Sequence, residues 1–226
     1  MREIVLDTET TGLEPAEGHR LVEIACVELR NHVATDRHWQ RYLNPERDMP
    51  EDAYRIHGLS IAFLEKHRTF AEEVDDFLAF IGDDPLVIHN ADFDLKFLNA
   101  ELTALDRPPL QRARVVDTLA LARQRYPGAR ASLDALCQRF GIDNSDRTLH
   151  GALLDARLLA DVYLELRGGR QVGLDLARDA AAAAIVEGEA LGGRPRRAPR
   201  PHAPSAEELA AHAAMLDKLK DPLWRR

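Results

Sequence analysis

The sequence predicts an α/β fold in which a mixed five-stranded sheet is covered by helices. Three observations predict it. Strand-like segments follow one another closely over residues 3–43, as in antiparallel hairpins. From residue 69 to residue 166, short apolar runs alternate with helix-length stripes, the order of strands and covering helices in an α/β sheet. The 226 residues are 45% apolar, enough for one well-buried domain with a remainder.

The elements follow in order. Ile4-Val5-Leu6, within residues 3–7, has the length and content of a buried strand. Thr10-Thr11-Gly12 is expected to turn the chain. Residues 21–29 are apolar-rich, interrupted by Glu23 and Glu28, and read as a second strand; residues 38–43, with Trp39 and Tyr42, read as a third. Thr69 and Glu72 form a capping box. Behind it, Phe70, Val74, Phe77, Leu78 and Ile81 fall on one helical stripe. Residues 86–89 read as a buried strand and 93–105 as a helix. Residues 114–116 read as a further strand, with Asp117 placed to cap the next helix. Helices are also expected over 132–140 and 152–166, the latter striped by Leu154, Leu158, Leu159, Val162 and Leu166.

The composition changes after about Gly168. Residues 188–204 hold Gly192-Gly193 and four prolines among Arg194, Arg196, Arg197 and Arg200, a stretch that cannot bury a core and is expected to be a flexible or extended linker. A last short helix starts at Ser205, boxed by Glu208, with Leu209, Ala213, Leu216 and Leu219 on one face. Pro222 stops it, and Leu223-Trp224 follows as an apolar pair with no domain to bury it.

The net charge of -8 argues against a general nucleic-acid coat, although cations bound at an acidic site would neutralise it locally. Cys26 and Cys137 have no metal-ligand spacing and read as small core residues of a reducing cytoplasm. Glu3, Asp7 and Glu9 interrupt any secretory signal pattern, and no apolar run is long enough to span a bilayer, so no membrane partner is expected.

The chemistry is carried by carboxylates. Asp7 and Glu9 lie two apart on a strand, so both project from one face. Neighbouring carboxylates on an apolar strand are costly unless a multivalent cation compensates them. Asp92 and Asp94 compete for a third position after the strand at 86–89, where α/β sheets build sites; either also suits a helix cap. Asp155 closes His150-Gly151-Ala152-Leu153-Leu154-Asp155. Four carboxylates without a thiolate favour Mg²⁺ or Mn²⁺ over zinc, and His150 supplies a base that titrates near neutrality. Singly, each residue has an ordinary explanation as a solvated strand end, a helix cap, a surface acid or, for His57 and His150, a polar loop residue. Their joint occurrence in this order is specific.

The three blocks resemble the exonuclease motifs of the DEDD superfamily, which has a ribonuclease-H-like fold, over about residues 3–166. Asp7-x-Glu9 is similar to the first block, and Asn90-x-x-Phe93-Asp94 to the second, which assigns the metal role to Asp94 over Asp92. His150 with Asp155 is similar to the third in its histidine form; the tyrosine form carries Tyr where Gly151 stands. The resemblance implies a DEDDh 3′→5′ exonuclease releasing nucleoside 5′-monophosphates. Asp7, Glu9, Asp94 and Asp155 would then hold two Mg²⁺ or Mn²⁺ ions, with His150 as general base. Thr10, His57, Asn90 and Phe93 would lie around the terminal nucleotide of a single-stranded or frayed DNA 3′ end.

Leu86-Val87-Ile88-His89-Asn90-Ala91 and residues 156–164 narrow the likeness to the proofreading subunits of bacterial replicative polymerases. Leu216-Asp217-Lys218 and Leu223-Trp224-Arg225 resemble the part of such subunits that holds the polymerase alpha subunit, which makes Leu216, Leu219, Leu223 and Trp224 partner-binding. Gln171-Val172-Gly173-Leu174-Asp175-Leu176 resembles a peptide that binds the sliding clamp through Gln171, Leu174 and Leu176. The implied division is an exonuclease domain (1–168), a linker (169–204) and a polymerase-binding tail (205–226), in a cytoplasmic, nucleoid-associated replisome. A small theta-like subunit is a further partner of some relatives. The alternatives are a stand-alone nuclease trimming RNA or DNA 3′ ends, which has no evident use for the tail, and a non-catalytic adaptor, which has none for the carboxylates.

Overall fold

The computed structural model describes residues 1–145, 147, 149–169 and 203–218. The chain divides into two compact units, Met1–Gly173 and Leu174–Arg226. In the first unit, strands β1 (Arg2–Thr10), β2 (Leu21–Arg30), β3 (Val33–Tyr42), β4 (Leu86–Ile88) and β5 (Val115–Asp117) form one sheet in the order β3-β2-β1-β4-β5. The β1–β2 and β2–β3 pairs are antiparallel, whereas β1–β4 and β4–β5 are parallel. The helices are α1 (Glu51–His57), α2 (Ile61–Leu64), α3 (Phe70–Ile81), α4 (Ala91–Ala104), α5 (Thr118–Arg125), α6 (Leu133–Phe140) and α7 (Ala152–Leu166). The second unit contains α8 (Ala206–Leu216).

Alternation along the strands feeds two cores. Ile4, Leu6, Ile24, Cys26, Leu86 and Ile88 pack with Phe77 and Ile81 of α3 and Leu95 and Leu98 of α4. Val5, Ala25, Val27 and Val87 pack with Leu136 of α6 and Ala156, Leu159 and Tyr163 of α7. β1 is therefore covered on both faces, which is why its apolar run is continuous. The two cysteines are free and buried, one in each core.

Local chemistry ends the helices as their sequences require. Asp117 accepts from the N–H groups of Leu119 and Ala120 at the start of α5, and Ser132 accepts from Ala135 at the start of α6. The capping boxes Thr69/Glu72 and Ser205/Glu208 are both formed.

Three features depart from the sequence expectation. β1 continues through Thr8, Glu9 and Thr10, because each still finds a partner on β2; the register breaks only between Glu9 and Thr10. Asp7 and Glu9 sit within the strand, as their spacing predicts; the departure is that the strand runs on to Thr10, where a turn is expected. β3 begins at Val33, since most of its first half faces solvent on a sheet edge and carries no apolar alternation. The short helices α1 and α2 have too few turns to give a periodic signal.

No helix among the described residues is long and apolar enough to cross a membrane. Of the tail positions, Leu216 is buried, whereas Leu209 on the same helix is exposed. Gln171, Leu174, Leu176, Leu219, Leu223 and Trp224, together with the linker arginines, lie outside the described residues.

Candidate active site

The carboxylates converge at the C-terminal end of β1, beside the first turns of α4 and α7. Asp7, Glu9, His150 and Asp155 line one cavity of about 500 Å³, together with Thr8, Thr10, Leu13, Ile56, His57 and Phe93. Asp7 and Glu9 share the face of β1 that carries Val5, the face packed against α7. Asp94 comes from the opposite layer and is tied to β1 by the Thr8 hydroxyl, which donates to its Oδ1 at 2.7 Å. Asp94 is only 4% exposed, whereas Asp92 is exposed and pairs with Arg112. Asn90 is exposed, is not among the cavity residues, and caps α4 with a left-handed φ of 62° while its N–H donates to Asp117.

Crowding like charges in a buried place raises their proton affinity. Asp7 is held well above the ordinary carboxylate range by burial and then by Asp94, Glu9, Asp155 and Glu23. Glu9 is pushed up to about 8 by burial and then by Glu23, Asp155 and Asp94, with Arg147 giving partial relief. Asp94 rises to about 7 through burial, against the Thr8 hydrogen bond. A cluster of acids that resists ionisation at neutral pH is an incomplete electrostatic unit, and added positive charge completes it. The donor set fits a hard divalent cation: carboxylate oxygens and no thiolate. One ligand atom each from Glu9, His150 and Asp155 lies within 4.8 Å of the others.

The segment before α7 brings in His150. Its ring is half exposed, but its backbone is fixed: the His150 N–H donates to the Ile56 carbonyl of α1 at 3.0 Å. Gly58 ends α1 with a φ of 72°, and a Cβ there would meet the Leu149 side chain at 2.7 Å. This is a position for glycine, because a side chain would meet both the left-handed backbone and the loop that carries His150. His57, the last residue of α1, is 6% exposed; its Nδ1 accepts the Leu59 N–H at 3.0 Å, and burial keeps its pKa low.

Two residues that the motifs do not point to complete the site. Glu23, buried on β2 opposite Glu9, accepts from the Ala152 N–H at 3.1 Å and from Gln40 at 2.6 Å. The N-cap of α7 is Gly151, which has no side chain to offer, so Glu23 supplies the missing acceptor from another strand. Arg147 reaches Asp155 with both Nε (2.5 Å) and an Nη (2.6 Å), reaches Asp134 at 2.8 Å, and lies 3.0 Å from the His150 Nδ1. Both look like ordinary solvated charges in the sequence. Only a conspicuous acid in an apolar strand (Glu23) could have drawn notice.

Comparison with known proteins shows what the chain as a whole is similar to. A family model described as "Exonuclease" (RNase_T) matches residues 4–163. The DNA polymerase III subunit epsilon of Rickettsia felis is 49% identical over 222 residues, covering 97% of this chain and 97% of the relative. The subunit of the same name from Escherichia coli K12 is 44% identical over 238 residues, covering 99% and 97%. Among solved structures, exonuclease X in complex with 5′ overhanging duplex DNA superposes with a TM-score of 0.59 at 24% identity, covering 75% of this chain and 95% of that one. The nuclease domain of 3′hExo, a DEDDh family member bound to rAMP, gives 0.62 at 19% identity, covering 73% and 90%. These structures share the fold.

Proposed function

This chain belongs to the exonuclease family, with the epsilon subunits of bacterial DNA polymerase III as its relatives, and from that premise we propose how its own residues carry out the family's reaction. The chain is a 3′→5′ proofreading exonuclease of a polymerase III complex; its substrate is DNA and its reaction depends on divalent metal. The observation that carries the assignment of residues is the convergence of Asp7, Glu9, His150 and Asp155 on one cavity, with Asp94 behind it.

In this reading Asp7, Glu9, Asp94 and Asp155 hold two Mg²⁺ or Mn²⁺ ions. Bound there, the ions supply positive charge for the phosphate and the departing oxygen. The His150 ring, exposed beside Asp155, takes the proton of the attacking water. Its tether to Ile56 limits how far the ring can wander. Phe93, at the first turn of α4, offers an apolar face to the terminal base without reading its identity. Thr10 and His57 line the same cavity, whereas Asn90 does not and enters this reading through the motif resemblance alone. Mispair preference then comes from fraying, since a mismatched end yields single strand at lower cost.

Digestion of a 3′-mispaired DNA primer by the purified chain tests this. Nucleoside 5′-monophosphate should appear with Mg²⁺ and not with chelator. His150→Gln should lower kcat by about 10²–10⁴ while leaving Mn²⁺ uptake in place. Full activity in that variant would remove His150 from the mechanism.

The tail extends the reading to partners. Leu216, Leu219, Leu223 and Trp224 form an amphipathic anchor for the polymerase alpha subunit, and residues 171–176 a clamp-binding peptide. A theta-like subunit is a third candidate. A tethered editor needs little affinity of its own for DNA, which fits the net charge of -8 and a cytoplasmic replisome. A chain ending at Gly168 should keep its hydrolysis of free primers and lose co-elution with isolated alpha subunit. Retained co-elution would favour the stand-alone nuclease.

A further inference from the structure

Arg147 stands outside the motif residues, yet it makes the tightest contacts in the cavity region. Its side chain is 7% exposed and Asp155 is 4% exposed, so neither is a solvated surface charge. Nε and one Nη each take a different oxygen of Asp155, the bidentate fork–carboxylate geometry that neutralises a buried acid most fully. The third branch rests on Asp134 of α6, which is exposed and lies outside the carboxylate cluster. The same guanidinium also touches His150.

We propose that Arg147 is a built-in counter-cation of the site, competing with the divalent ions for Asp155 and so setting how tightly they bind. The inference rests on the reading that Asp155 is a cation ligand. With each oxygen already accepting an N–H from Arg147, Asp155 offers a dication only its remaining lone pairs, and part of its charge is already neutralised. A dication near Asp155 also stands close to a fixed positive charge, which lowers its affinity further. The Asp134 bond gives the guanidinium a place to remain when Asp155 turns away. In return, Arg147 offsets part of the like-charge repulsion around Glu9, which protects the fold while ions are scarce. The device trades affinity for stability: the site stays folded at low cation levels and is not locked by the first ion it meets.

The test is isothermal titration of Mn²⁺ into the chelator-stripped chain, without DNA, paired with thermal unfolding. Arg147→Gln should bind Mn²⁺ roughly tenfold more tightly than the wild type. It should also unfold at a lower temperature in chelator, with the gap closing as Mn²⁺ is added. Arg147→Lys keeps the charge without the fork, so its affinity should fall between the two. A purely structural arginine would lower stability and affinity together. Equal or weaker Mn²⁺ binding in both variants, beside a wild type that binds, overturns the role of Arg147 alone. If Arg147→Gln does not fold, Arg147→Lys decides by itself, and binding no tighter than wild type overturns the proposal. A wild type that takes up no Mn²⁺ overturns the metal reading and this inference with it.

Discussion

The double variant Asp7→Asn/Glu9→Gln should lose at least about 10³-fold of the divalent-dependent hydrolysis of a mispaired primer, and in chelator it should unfold at a higher temperature than the wild type. Both results follow from the same cluster. The two side chains keep their volume, so β1 keeps its pairing with β2 and its packing on both faces. Only charge is lost. Without it, the proposed site loses both of the carboxylates that β1 contributes, and the remaining acids would be too few to position two ions. The stability gain has the opposite sign because Asp7 and Glu9 are each destabilised by burial and by neighbouring carboxylates. For a chain of this size, Tm should rise by about 2–4 °C for each kcal/mol of repulsion removed. Primer digestion and calorimetry on one preparation check both halves. Retained hydrolysis would show that β1 holds no essential ion. A lower Tm would show that its carboxylates are not in conflict.

In chelator, wild-type stability should fall as pH rises from about 6.5 to about 8, and Mn²⁺ should restore it more at pH 8 than at pH 6.5. The folded state holds Asp94 at about 7 and Glu9 at about 8, with Asp7 raised as well, whereas in the unfolded chain these acids titrate near pH 4. Between those limits the folded chain binds more protons than the unfolded one, so the slope of unfolding free energy with pH is negative. The stabilising contribution is complete below about pH 4 and disappears as pH passes the folded values. His57 and His89, whose pKa values are lowered by burial, act the other way as pH falls below about 6.5, which is why the upper window isolates the carboxylates. Cations bind the ionised acids, so their rescue grows in the same window. The Asp7→Asn/Glu9→Gln chain should show a flatter profile. A wild-type Tm that stays level or rises through this window would contradict the electrostatic picture of the site.

The sequence made some parts of this protein legible and hid others for identifiable reasons. The strand that carries Asp7 and Glu9 announces itself through Ile4-Val5-Leu6, but its far end does not. Thr8, Glu9 and Thr10 have no strand-like alternation, and only pairing with β2 keeps them extended. α3 is readable from one stripe and one capping box because its chemistry is local. The first half of β3 is invisible for the opposite reason: what holds it is the register with β2, not its own side chains. Among acids, Asp94 and Asp92 are equivalent in composition and spacing. A resemblance separates them in the sequence; in the fold, Thr8 and burial do so for one, and Arg112 and solvent for the other.

By itself, then, the sequence determined which residue types were available and in what order: three acidic blocks, a histidine ahead of the last, the helix caps and the apolar stripes. These are local properties, fixed within a few turns of chain. Tertiary structure alone decided which charges meet. It brought Glu23 of β2 to the start of α7, 129 residues away, and folded Arg147 back onto Asp155. Charge interactions act through distance and burial, and neither is encoded in the spacing of residues along the chain.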